Sequence, residues 1–172
     1  MSIATNVEIK AEISDLHKLR ELAESITDVP CEAIKQHDIF FNAPRGRLKL
    51  RVLNPGFGQL VYYERQDCSA PRPSNYIVSV TTEPDSLERV LAAALGVRGV
   101  VDKERYLYKV GNTRIHLDKV KGLGDYLELE VVLTPGQTVQ EGKEIALLLI
   151  RRLGINEADL IDVAYIDLLK RQ

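Results

Sequence analysis

In five short stretches of this chain, ionisable groups recur at every second position. The stretches are Asn6-Val7-Glu8-Ile9-Lys10, Arg47-Leu48-Lys49-Leu50-Arg51, Lys103-Glu104-Arg105, Arg114-Ile115-His116-Leu117-Asp118 and Glu128-Leu129-Glu130. A β-strand sends successive side chains to opposite faces, so residues two apart stand side by side. Each stretch is therefore a strand with one charged face. Turned inward around a common space, those faces would line a cavity rich in cations and carboxylates, suited to a polyphosphate and its divalent metal. Turned outward, they would be solvated surface.

The segments between them complete the pattern. Val7, Ile9 and Ala11 alternate with Glu8, Lys10 and Glu12 as a first strand. A helix follows from Ser14 or Asp15, with Leu16, Leu19, Leu22, Ala23 and Ile26 on one stripe and Val29-Pro30 as its end. From Ile34 to Arg65 the chain reads as strands. Asp38-Ile39-Phe40-Phe41 leads through a Pro44-Arg45-Gly46 turn to the basic strand, and Asn54-Pro55-Gly56-Phe57-Gly58 turns it into a tyrosine-rich partner ending at Arg65. Ser69 to Ser74 reads as a loop, Tyr76 to Thr81 as a strand, and Asp85 to Leu95 as a helix stopped by Gly96. Strands over Val100 to Val110 and Thr113 to Val120 are joined by Gly111-Asn112, a hairpin signal. Gly122-Leu123-Gly124-Asp125 then turns into Tyr126 to Leu133; no helix follows these glycines, so they are not a phosphate loop. Thr138 and Glu141 have capping-box spacing for a helix ending at Leu153-Gly154, and a short helix or two closes the chain. About eight strands with turn-length links and four marginal helices make an α+β protein whose antiparallel sheet should curl or close.

The 172 residues, 45% hydrophobic and 28% charged, suit one folded domain over 1–172. A formal net charge of −2 argues against a general nucleic-acid binder. No apolar run approaches bilayer length, and Met1-Ser2-Ile3-Ala4-Thr5 lacks a basic start and an apolar signal core. A cytoplasmic protein with no membrane or nucleic-acid partner is expected, as monomer or homodimer. Cys31 and Cys68 form neither CxxC nor a metal-ligand spacing and read as free thiols without a role.

For any one strand, the outward orientation is the default. Three observations favour the inward one. Arg47, Lys49 and Arg51 put three like charges in a row, which repel unless an anion lies opposite. Glu128 and Glu130 do the same with negative sign and call for a cation. The helical segments carry enough apolar stripe to cover the other face of the sheet, leaving the charged face to line a groove. Magnesium would complete such an arrangement, since it takes carboxylate and phosphate oxygens together while Arg and Lys hold the remaining phosphate charge.

Together these segments resemble the CYTH superfamily, which includes class IV adenylyl cyclases and thiamine triphosphatases, and come nearest to its class IV cyclase-like branch. The family's E-x-E-x-K signature appears as Asn6-x-Glu8-x-Lys10, with an amide at the first acidic position. The remainder of the pattern runs through Arg47-x-Lys49-x-Arg51, Glu64-Arg65, Lys103-x-Arg105, Arg114-Ile-His-Leu-Asp118, Glu128-x-Glu130 and Tyr165-Ile166-Asp167-Leu168-Leu169. The resemblance implies a closed, eight-stranded antiparallel β-barrel with flanking helices, its tunnel holding a triphosphate. It implies Glu8, Asp118, Glu128 and Glu130 as ligands of Mg²⁺ or Mn²⁺. It implies Lys10, Lys49, Arg51, Arg65, Lys103, Arg105 and Arg114 as phosphate contacts, with Glu8, Lys10, Glu128 and Glu130 the catalytic set. Asn6 removes one negative charge and could weaken metal binding or change substrate choice.

Other residues carry weaker expectations. His116 shares a face with Arg114 and Asp118, as proton carrier or hydrogen-bonding partner. Arg45 and Arg72 fall in turns and read as solvated, with a weak candidacy for the site. Tyr62 and Tyr63 read as packing or, for one of them, as standing at the barrel mouth, and His17 and His37 have no companions. No serine–histidine or cysteine–histidine nucleophile stands out, which fits phosphoryl chemistry, where positioning and charge neutralisation dominate. ATP could be cyclised to cyclic AMP and pyrophosphate. Thiamine triphosphate, a nucleoside triphosphate or tripolyphosphate could be hydrolysed instead, or a nucleotide or polyphosphate merely bound.

Overall fold

The computed structural model describes residues 4–27 and 29–171; residues 1–3, part of the stretch read above as lacking a signal core, lie outside them. Eight strands form a closed antiparallel barrel: β1 (Ala4–Glu12), β2 (Glu32–Phe41), β3 (Arg47–Asn54), β4 (Phe57–Arg65), β5 (Arg72–Thr81), β6 (Val97–Val110), β7 (Thr113–Val120) and β8 (Gly124–Val132). Their order around the wall is β5-β4-β3-β2-β6-β7-β8-β1, and pairing of β1 with β5 closes the ring. Closure leaves no open edge in an eight-stranded sheet. A two-residue strand, β9 (Leu160–Ile161), adds to β1 at Lys10 and Ala11.

Four helices flank the barrel: α1 (Leu16–Ile26), α2 (Pro84–Leu95), α3 (Val139–Arg152) and α4 (Tyr165–Leu169). Asp15 caps α1 by accepting from the Lys18 amide at 3.0 Å. Thr138 and Glu141 form the full capping box of α3. The sequence reading misplaces two starts. β6 begins at Val97, directly after the Gly96 stop, and β5 begins at Arg72, inside the expected loop. After α3 comes one 3₁₀ turn over Glu157–Asp159 and then α4.

The apolar core lies outside the barrel. Val7, Ile9 and Ala11 of β1, Ile115 and Leu117 of β7, and Leu127, Leu129 and Val131 of β8 pack against Leu19 and Ala23 of α1 and Ala146, Leu149 and Ile150 of α3. Gly142 permits this contact: a Cβ there would stand 2.7 Å from Val7 and Leu133 side-chain carbons. Ile39, Phe41 and Leu50 meet the apolar side of α2. At one end of the barrel, Tyr165 and Ile166 of α4 pack with Phe40, Val101, Val120 and Tyr126. With the greasy parity of β1, β7 and β8 used by the helices, the charged parity is left to the lumen.

Candidate active site

The lumen is a cavity of about 320 Å³ whose lining includes Glu8 and Lys10, Asp38, Lys49 and Arg51, Arg65, Lys103 and Arg105, Arg114 and His116, and Glu128 and Glu130. Seven of its lining side chains are cationic and four are carboxylates. All seven expected phosphate contacts are among them, and so are three of the four expected metal ligands. The fourth, Asp118, is fully buried beside the lumen, with neither oxygen free. Its carboxylate accepts from Arg105 Nε at 2.7 Å and Nη2 at 2.6 Å, and from the Tyr165 hydroxyl at 3.0 Å, with Lys103 Nζ 3.4 Å away.

Register explains which groups meet. Across β1 and β8, Glu8 stands opposite Glu130 and Lys10 opposite Glu128; across β7 and β8, Arg114 faces Glu130 and His116 faces Glu128. Lys10 Nζ lies 3.8 Å from Glu128 and 3.8 Å above the Tyr165 ring. Arg105 Nη2 donates to Glu128 at 2.9 Å, and Arg114 Nη2 lies 2.8 Å from Glu130. Burial, reinforced by the Glu130 and Glu128 charges, raises the Glu8 carboxyl above its ordinary value, although Arg65 donates to it at 3.1 Å. Burial weakens the protonated forms of Lys10 and Lys103, bringing them down to about 8 and about 7. Burial and then the Arg105 charge bring His116 down to about 3, so it is a neutral imidazole near pH 7.

One charged residue of the cavity lining was given no role by the sequence reading. Asp38, 1% exposed, receives Lys49 at 2.9 Å and Arg51 through two bonds of 2.7 and 2.8 Å. The anion demanded by most of the basic row is therefore supplied by the protein; Arg47 goes instead to Asp67 and Asp167. Burial alone would raise the Asp38 carboxyl, yet Arg51 and Lys49 together hold it well below the carboxylate range. Arg72, a weak candidate expected in a turn, is a correction: it stands on β5 opposite Glu8, behind the residues that line the cavity, 2% exposed and not solvated. Nε and both Nη atoms of Arg72 have no hydrogen-bond partner among the described residues, nor do Nε and Nη2 of Arg65. Arg45 is exposed in its turn, Tyr63 lines the lumen, and His37 pairs with Asp102 at 2.6 Å on the outer wall. Cys31 and Cys68 are free.

A divalent ion fits this chemistry. Among the described residues, His116, Glu128 and Glu130 bring one ligand atom each to within 4.8 Å of one another, and Glu8 stands across from Glu130. A carboxylate group crowded this way is relieved by a hard cation. Asn6, buried with an unpartnered Oδ1, occupies the next inward position of β1.

Comparison with known proteins agrees with the geometry. The CYTH domain family matches residues 4–165, and the chain belongs to this family. A Methanocaldococcus jannaschii protein named "putative adenylate cyclase" is 25% identical, with 94% of this chain and 97% of that protein aligned. The solved structure of the PH1012 protein from Pyrococcus horikoshii superposes with a TM-score of 0.85 at 26% identity, covering 95% of this chain and 99% of that one. A Hippeastrum protein, described as a "putative adenylyl cyclase" with a dominant triphosphatase activity, shares the fold at a TM-score of 0.66 and 14% identity, covering 98% and 95%. The described residues contain no helix long and apolar enough to cross a membrane.

Proposed function

We propose that this chain is a divalent-metal-dependent enzyme acting on a triphosphate in the barrel lumen, with ATP cyclisation as the first candidate reaction. The observation that carries the reading is the charge inventory of the lumen: seven cations against four carboxylates, with buried guanidinium nitrogens left without partners. Buried cations in excess are stabilised by an anionic guest, and a triphosphate offers several oxygens to several donors at once. In this reading Arg65, Arg72 and Arg114 meet phosphate oxygens, while Lys10, Lys49, Arg51, Lys103 and Arg105 complete the cradle. Glu8, Glu128 and Glu130 would hold Mg²⁺ or Mn²⁺, which when bound neutralises phosphate charge and withdraws electron density from the phosphorus under attack. Asp118 keeps Arg105 and Lys103 in place; joining the metal shell would require it to release Arg105.

Two reactions use these residues. In a cyclase, the ribose 3′-hydroxyl of ATP attacks the α-phosphorus and pyrophosphate leaves. In a triphosphatase, water attacks the terminal phosphorus. The name of the Methanocaldococcus relative favours the first, and the description of the Hippeastrum protein keeps the second in view. Incubation with Mg²⁺ or Mn²⁺ and ATP, thiamine triphosphate or tripolyphosphate separates them. Cyclic AMP with pyrophosphate identifies the cyclase, orthophosphate the triphosphatase, and tight binding without product a non-catalytic binder. Glu130→Gln should lower metal-dependent turnover by about 100-fold or more with the fold intact. Failure of tripolyphosphate to bind at all would overturn the reading.

A further inference from the structure

We propose that the divalent ion of this tunnel is bound through a nitrogen: His116 joins Glu128 and Glu130 as a ligand, so that the site prefers a transition metal such as Mn²⁺ to Mg²⁺. The inference rests on the reading above that the lumen takes a divalent ion. It adds which atoms hold that ion and therefore which ion it is.

Three observations carry it. His116 is 4% exposed and on the inward parity of β7, so its ring is committed to the lumen wall. Its Nδ1 has no hydrogen-bond partner among the described residues and lies 3.9 Å from Glu130 Oε1, beyond hydrogen-bonding distance. Two facing ligands on either side of one ion stand at such a separation, each about 2 Å from the metal. The ligand atoms of His116, Glu128 and Glu130 all fall within 4.8 Å of one another, and register places His116 directly opposite Glu128.

Glu128 and Glu130 each give Oε2 to an arginine, Arg105 and Arg114, and it is Oε1 of Glu130 that faces His116. Asp118, two residues further along β7, is held by Arg105, Lys103 and Tyr165, and Glu8 is tied to Arg65. A buried imidazole with an unpartnered Nδ1 beside two carboxylates is a nitrogen–oxygen–oxygen donor set. Mg²⁺ favours oxygen donors and octahedral geometry, whereas Mn²⁺ and the later divalent metals accept imidazole readily. The amide at Asn6 points the same way, since it deprives the site of one carboxylate that a hard cation would use.

The test uses the intact chain and MnCl₂, with and without tripolyphosphate. Pulsed electron paramagnetic resonance of bound Mn²⁺ should show ¹⁴N modulation from a directly coordinated imidazole, and His116→Gln should abolish it. The chain has three histidines, so the double variant His17→Gln/His37→Gln leaves His116 as the sole imidazole and should retain the signal. This variant keeps the test decisive if His116→Gln does not fold. By calorimetry, His116→Gln should weaken Mn²⁺ binding by about tenfold or more and Mg²⁺ binding by less than about threefold. Bound Mn²⁺ without ¹⁴N modulation overturns the inference alone, as does a signal lost in the double variant or equal wild-type affinity for the two ions. No bound Mn²⁺ in either condition overturns it together with the metal-dependent reading.

Discussion

The two sides of this tunnel treat the same kind of residue in opposite ways. On the wall built by β2, β3, β6 and β7, two buried carboxylates each hold a pair of cations: Asp38 takes Lys49 and Arg51, and Asp118 takes Lys103 and Arg105. Both acids stand in register opposite their arginine, on adjacent strands. On the seam where β4, β5 and β1 close the ring, Arg65 spends one nitrogen on Glu8, and Arg72 has none engaged. The first wall is rigid before any ligand arrives. The second carries uncompensated charge, which costs folding stability and favours an anion. One barrel thus separates positioning from binding.

The largest expected effect tests the rigid wall. Asp118→Asn removes the charge that Arg105 and Lys103 share in a fully buried position, and should cost about 3–5 kcal/mol in urea unfolding. A loss below about 1 kcal/mol would mean that the Asp118 contacts do not set this wall.

The seam should respond with the opposite sign. Arg72→Met replaces a buried, unpartnered guanidinium by an apolar chain of similar reach, and should stabilise the ligand-free protein by about 1–2 kcal/mol. The same change should weaken tripolyphosphate binding by about tenfold, the scale of a lost charge-assisted hydrogen bond. If Arg72→Met is destabilised and binds normally, Arg72 belongs with the structural cations and the contrast collapses.

The two walls also differ in how far the sequence announces them. The charged stretches on β1, β3, β6, β7 and β8 were legible because parity in a strand is local, and an inward orientation places whole rows at once. Asp38 was not legible, because its parity neighbours Gln36 and Phe40 are uncharged and only the pairing of β2 with β3 brings it to Arg51. Arg72 was hidden by Pro71 and Pro73, which read as loop. Proline is tolerated at a strand start, and here β5 begins between the two, with Pro73 opposite Val7 at the closure. The closing segment Tyr165-Ile166-Asp167-Leu168-Leu169 was legible as part of the family pattern, but the contact of Tyr165 with Asp118 was not. Tyr165 reaches Asp118 only because α4 packs on β6 at Gly99, where a Cβ would stand 2.5 Å from Ile166.

The smallest effect concerns protons. Lys103, on the rigid wall, is brought down to about 7 by burial and then by Arg105. An unfolded lysine titrates near 10.4, so between these values the unfolded chain holds more protons and the ligand-free fold gains stability as pH rises. Binding runs the other way. A phosphate oxygen beside Lys103 favours its charged form, so triphosphate binding at pH 8 should draw in a proton and weaken as the solution becomes more alkaline. The slope cannot exceed about 1.4 kcal/mol per pH unit for one proton. Calorimetry of tripolyphosphate binding at pH 8, in two buffers of different ionisation enthalpy, measures this uptake. The wild-type protein should take up most of one proton more than Lys103→Met, a comparison in which the titration of the ligand itself cancels. Equal uptake by the two proteins would mean that the lysine is already charged, with Asp118 compensating its burial, and the rigid wall would then be fully ionised before the ligand enters.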